Sequence, residues 1–119
     1  MLVCLGVEKN NLSSPLSVHF ESTPYFFFVD TETNEFEVIK SKKNLLPGLE
    51  VVHLVTERRP EVVITGNILP NSLDFLLASG IKVALGVFGI TGKEALNRFK
   101  QGKIKLLSKP PLTGKGRLL

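Results

Sequence analysis

The sequence has one cysteine, one tyrosine, one methionine and no tryptophan in 119 residues. With Cys4 alone, no disulfide can close within the chain, which points to the reducing cytoplasm. A conventional iron–sulfur site is also excluded within one chain, since it needs four thiolates. Long apolar runs are missing too. The longest, such as residues 25–29, fall far short of the roughly 20 residues that cross a membrane. The apolar start, residues 1–7, has no basic stretch before it and no small-residue cleavage site after it, so it reads as a strand and not as a signal peptide. Acid is absent from the C-terminal end. Residues 95–119 carry seven Lys/Arg and no Asp/Glu, whereas residues 1–94 carry eight Lys/Arg and eleven Asp/Glu. Cations of this kind suit the end of a last helix followed by a solvated tail. Residues 108–119 hold no aromatic ring to stack on a base, which argues against nucleic acid.

Apolar residues make up 43% of the chain, enough for one domain with one core. Residues 1–7 and 24–30 read as strands. The triple Phe26-Phe27-Phe28 lacks polar alternation, so both faces of that strand should be covered. Thr31-Glu32-Thr33-Asn34 reads as a hairpin turn with Asn34 left-handed. Residues 35–40 alternate as an edge strand does, with Lys40, Lys42 and Lys43 discouraging further pairing. Helical spacing of Leu45, Leu49, Val52 and Val55 predicts a helix over 45–59, with Pro47 in its first turn and Pro60 as its stop. A buried strand follows at 61–65, a helix at 70–79, a buried strand at 81–85 and a helix at 91–101. The last helix opens on the capping-box pattern Thr91-Gly92-Lys93-Glu94 and ends at Gly102. Residues 104–107 read as a short extended piece and 108–119 as a basic, flexible tail. The order implies an α/β fold, a three-layer α/β/α arrangement around a mixed five-stranded sheet in one domain over residues 1–107.

In open sheets of this kind ligands collect beyond the carboxyl ends of the parallel strands, where strand order reverses. Three loops should meet there: residues 8–20, 65–71 and 86–92. The second and third run into helix N-termini, whose free amides and positive end favour an anion, and their glycines let backbone approach a ligand. Asn67 and Asn71 can donate side-chain hydrogen bonds or serve as turn and cap residues. His53 lies inside the first helix and reads as a partly buried or surface residue. Cys4, in a buried strand, reads as a small hydrophobe.

Ser14-Pro15-Leu16-Ser17-Val18-His19-Phe20, Thr23-Pro24-Tyr25-Phe26 and Val29-Asp30-Thr31-Glu32-Thr33 together resemble the dinitrogenase iron–molybdenum cofactor biosynthesis family. That family shows a Ser-x-x-Phe-Gly-type loop, often with His before the Phe, and then an Ala-Pro-Tyr-Phe strand. Val62-Val63-Ile64-Thr65-Gly66-Asn67-Ile68 with Pro70-Asn71-Ser72, then Ala78-Ser79-Gly80-Ile81-Lys82-Val83, and finally residues 91–99 with Gly102 extend the likeness to roughly residues 1–107. Two departures stand out: Glu21 replaces the Gly after Phe20, and Leu46-Pro47-Gly48-Leu49 replaces a Gly-Ala-Gly-type helix start.

The resemblance implies a ribonuclease H-like fold and binding of iron–molybdenum cofactor, a precursor or another metal–sulfur cluster. It places the cluster around His19, Phe20, Thr65, Gly66, Asn67, Asn71, Gly89 and Thr91, with His19 as the metal ligand, since neutral imidazole coordinates iron, molybdenum or copper. A ribonuclease H-like nuclease would need carboxylates on central strands for two metal ions. The first strand has none, and Asp30 stands alone at a strand end. The expectation is therefore a cytoplasmic, prokaryotic, nitrogen fixation-related carrier or scaffold and not an enzyme. It would be a monomer or weak homodimer that meets cluster donor or acceptor proteins. The alternative is a protein-interaction or regulatory domain of the same fold that binds no cluster and acts through its surface or basic tail.

Overall fold

A strand that is apolar on both faces has to be covered on both, and the three middle strands of this chain are built that way. The structure, a computed structural model, describes residues 1–41 and 49–109. One mixed sheet contains β1 (Leu2–Val7), β2 (Tyr25–Asp30), β3 (Phe36–Lys40), β4 (Val62–Ile64) and β5 (Lys82–Ala84), in the order β3-β2-β1-β4-β5. The β1/β2 and β2/β3 pairs are antiparallel, and β1, β4 and β5 are mutually parallel. The helices are α1 (Leu49–Glu57), α2 (Pro70–Ala78) and α3 (Gly92–Lys100). This is the mixed five-stranded α/β sheet with three helices that the residue pattern anticipated.

The period-2 alternation sorts side chains between two cores. Cys4, Phe26, Phe28, Val63 and Val83 face α1 and α2, which contribute Val52, Val55, Leu73 and Leu76. Val3, Leu5, Phe27, Val62 and Ile64 face α3, which contributes Ala95 and Leu96. The sharing of one face by α1 and α2 follows from topology. The β3–α1–β4 and β4–α2–β5 connections step the same way along the sheet, and right-handed crossovers in one direction lay their helices on one side. α3 comes after the last strand and folds back over the other side.

The breaks fall where the residue chemistry places them. Asn34 (φ 64) makes the hairpin turn and Arg59 (φ 50) turns the chain out of α1. Asp30 Oδ1 accepts the amides of Glu32 (2.8 Å) and Thr33 (3.3 Å), which together hold its carboxyl below the usual range. This carboxylate is engaged in a turn, opposite Leu2 at the start of β1. The anticipated helix start at 45–48, the edge-guarding Lys42 and Lys43 and residues 110–119 of the tail lie outside the described residues. Residue 107 closes one side of the sheet: Val83 and Leu107 exchange two backbone hydrogen bonds (2.9 and 2.8 Å). β3 forms the other margin, with Phe36 exposed. No helix among the described residues is long and apolar enough to cross a membrane.

Cys4 is fully buried, and desolvation pushes its thiol far up. A disulfide-exchange reagent is expected to leave the native chain unlabelled over hours and to label one thiol per chain in denaturant. Rapid labelling of the folded chain would contradict this placement.

Candidate functional site

β1 and β4 are parallel neighbours. From β1 the chain leaves toward β2 on one side, and from β4 toward β5 on the other, so the loops after these strands part at the sheet's carboxyl edge. The loop after β1 fills that gap. Its base is closed by the buried Ser14 hydroxyl, which lies 2.6 Å from the Asn11 carbonyl and accepts the Lys9 amide at 3.3 Å. The chain then pairs back on itself and on its neighbours. Glu8 N–H donates to the Pro15 carbonyl (3.0 Å), Ser17 N–H to Gly6 (2.9 Å) and Leu16 N–H to Ile90 (3.0 Å).

Next the loop meets the loop that follows β4. Asn67 N–H donates to the Val18 carbonyl (2.6 Å) and Phe20 N–H to the Asn67 carbonyl (2.9 Å), forming a parallel bridge that places His19 beside Asn67. The segment is anchored below by Phe20, which is 1% exposed and packs edge-on against Phe26 with ring centroids 5.5 Å apart. Thr23 Oγ1 donates to the His19 carbonyl (3.1 Å). The His19 and Asn67 side chains both remain exposed.

Gly66 is there because nothing larger fits. A Cβ at this position would lie 2.6 Å from the Phe88 ring and 2.6 Å from the Val18 carbonyl. The third loop therefore closes over Gly66 through Phe88, and its Gly89 turns at a φ of 74 that β-carbons disfavour. Val18 and Phe88, 49% and 47% exposed, form an apolar rim beside the polar pair. All three anticipated loops thus meet at this edge.

Not every expected group is free to contact a ligand. The Phe20 side chain belongs to the core, so only its backbone reaches the site. The amides at the start of α3 were expected to be open, but they are engaged. Gly92 N–H donates to Ser14 O (3.1 Å), Lys93 N–H to Leu12 O (2.8 Å) and Glu94 N–H to Thr91 Oγ1 (3.1 Å). The folded-back loop supplies two of these acceptors, a non-local pairing that no periodicity reveals. The α2 end is partly engaged as well, with Glu21 Oε2 accepting Leu69 N–H (3.0 Å). Glu21 thus places the chain's own carboxylate where an anion would go. Asn71 and Ser72 follow in the first turn, where amides have no intrahelical acceptor. Thr65 and Gly66 are buried, Asn71 and Gly89 are exposed, and Thr91 is half-buried with its hydroxyl oxygen in the cap.

One feature of the site was missed from the residues alone. Ser17 is 4% exposed, and its Oγ is the buried side-chain oxygen without a hydrogen-bond partner among the described residues. A buried hydroxyl in this state is unusual, since buried polar groups are as a rule hydrogen-bonded. Its position as the first residue of Ser-x-x-Phe was the available sign. Val18 and Phe88 were also overlooked, although Phe88 is an aromatic flanked closely by Gly86 and Gly89. His53 is exposed on α1 with its ring edge-on to Phe75 at 5.7 Å. Among the described residues no group of three or more His, Cys, Asp or Glu could hold a metal ion. The site offers one imidazole, one side-chain amide, the first-turn amides of α2 and the Glu21 carboxylate that already engages the helix end.

Residues 1–107 match the family model described as dinitrogenase iron–molybdenum cofactor. The chain belongs to this family. No curated protein sequence matches it. Among solved structures, a Thermotoga protein provisionally named NifB is 28% identical, with a TM-score of 0.78 over 93% of this chain and 97% of that one. The apo form of the orange protein from Desulfovibrio gigas is 22% identical, with a TM-score of 0.81 over 93% and 96% of the two chains. A Methanocaldococcus jannaschii protein provisionally named a dinitrogenase is 18% identical, with a TM-score of 0.72 over 92% and 97%. At these identities the last two establish the shared fold. Within the dinitrogenase iron–molybdenum cofactor family this member carries Glu21 at its α2 terminus and His19 at its switch point.

Proposed function

We propose that this chain is a non-catalytic carrier or scaffold for an anionic metal–sulfur cluster: iron–molybdenum cofactor, a precursor, or a related molybdenum, iron or copper sulfide. The cluster is cargo that arrives preassembled from a donor protein and leaves to an acceptor. The observation that carries this reading is the backbone bridge that seats exposed His19 beside exposed Asn67. The imidazole supplies one coordinate bond. Asn67 and the first-turn amides of α2 supply hydrogen bonds to sulfide or carboxylate oxygen. Family membership supports the same reading. With one buried cysteine, the attachment is loose, which suits a carrier that must release its load.

Anaerobic titration with iron–molybdenum cofactor, its precursor and a molybdenum–copper sulfide, followed by visible absorbance, tests the proposal. Failure of all three to bind would sink it.

Two substitutions refine the site. Ser17→Ala removes a buried hydroxyl that finds no hydrogen-bond partner among the described residues, so the melting temperature is expected to hold or rise with cluster affinity unchanged. A fall in melting temperature would show that the hydroxyl is bonded in the folded chain. Glu21→Gln keeps an acceptor for Leu69 N–H and removes the charge. Cluster affinity at low salt is expected to rise roughly two- to fivefold, as about 0.3–1 kcal/mol at a helix terminus implies. An unchanged affinity would show that Glu21 does not compete with the cargo.

A further inference from the structure

Beside the switch-point site, on the β5 side, lies a cleft of about 240 Å³. Its apolar lining includes Val87, Ile104 and the half-exposed ring of Phe88, and its cations are Arg98, Lys103 and Lys105. Among the described residues no carboxylate lines it. Arg98 is partly answered by Glu94 one turn earlier on α3, whereas Lys103 and Lys105 are exposed on either side of Ile104, which tucks into the core. The segment that carries them is held against β5 by the Val83–Leu107 hydrogen bonds, so the cations are presented on fixed backbone.

We propose that this cleft docks an acidic segment of the protein that delivers or receives the cluster, with carboxylates flanking one apolar anchor. The inference rests on the carrier reading and names the partner's chemistry. Charge complementarity selects the occupant. The cleft is cationic around an apolar floor, a combination that takes carboxylates and an aliphatic or aromatic side chain together. The chain's own C-terminal end is the wrong sign, since residues 110–119 carry Lys115 and Arg117 and no acid. A nucleic acid would need an extended track of cations and stacked rings. Here the cations surround one small cleft with one exposed ring. Position also favours a cluster-handling partner. Phe88 lines the cleft and also closes over Gly66, so a docked segment abuts the loop that walls the His19 site.

The test uses the isotope-labelled full chain without cluster and a short synthetic peptide with acidic residues on both sides of a central leucine. Amide shifts are expected at Val87, Phe88 and residues 103–105, with affinity falling as salt rises. The K103E/K105E variant, altered only at exposed positions, is expected to bind the peptide at least roughly tenfold more weakly. K103Q/K105Q should fall between the two. The proposal is overturned if the peptide produces no shifts at millimolar concentration. It is equally overturned if the shifts map elsewhere, if both variants bind as the parent does, or if a thymidine oligonucleotide binds the same residues more tightly than the peptide. Cluster titrations of the same samples keep the two readings apart. Cluster binding without peptide binding removes only the docking surface, and peptide binding without cluster binding removes the carrier role.

Discussion

Replacing His19 with alanine is expected to lower affinity for the cluster at least roughly tenfold, about 1.4 kcal/mol, and to leave the fold intact. The reason for expecting both halves lies in how the residue is held. Its backbone is the structural part: the bridge to Asn67 involves the amides and carbonyls on either side, and its own carbonyl accepts from Thr23. The side chain is exposed and carries no core packing, so its removal costs binding and not stability. Anaerobic absorbance titration and thermal melting, run with His53→Ala as the comparison, read the two effects separately. His53 sits on α1 against Phe75, and its loss should leave the titration unchanged. If His19→Ala binds as tightly as the parent, the imidazole is not the ligand, and the cradle must work through hydrogen bonds alone.

Gly66→Val is expected to damage both stability and binding. Its new Cβ would stand 2.6 Å from two atoms that cannot both give way: the Val18 carbonyl is backbone, pinned by Asn67 N–H, and the Phe88 ring closes the neighbouring loop. Overpacking of this sort costs about 1–3 kcal/mol. It also pushes the first loop away from the second, which separates His19 from Asn67. Urea unfolding should show the midpoint fall with an unchanged slope. Cluster titration should show loss beyond what Ala at the same position causes. A valine variant with parental stability and affinity would mean the three loops are not locked at this point.

Much of the scaffold was legible because it obeys short-range rules. The triple Phe26-Phe27-Phe28 announced a strand covered on both sides, and the two cores divide these rings as alternation demands. Thr91 through Glu94 announced a capped helix, and the cap is formed. Pro60 and Gly102 marked ends that hold to within a residue or two. The site was legible only as a meeting of loops. Which groups remain free depends on long-range pairing between residues 12–20 and residues 67 and 90–93, and local pattern carries no trace of it. So Thr91 and its following amides looked open to a ligand and are instead occupied by the loop. Glu21 stood out in the sequence only as a departure from the family pattern and proves to be bonded to Leu69 N–H. The Ser17 hydroxyl stood in plain view as part of a motif, but its lack of a partner is a property of the folded chain alone.

The loop after β1 and the start of α3 share their hydrogen bonds, and this sharing has a kinetic side. Ser14 and Leu12 hold the amides of Gly92 and Lys93, first-turn groups with no acceptor inside the helix, so these amides reach solvent when the loop opens even if α3 stays formed. Amide exchange at Gly92 and Lys93 is therefore governed by the loop and not by fraying of the helix. Two backbone positions on the far side of the sheet from α2 thus report, in solvent-exchange rates, whether the cradle is shut.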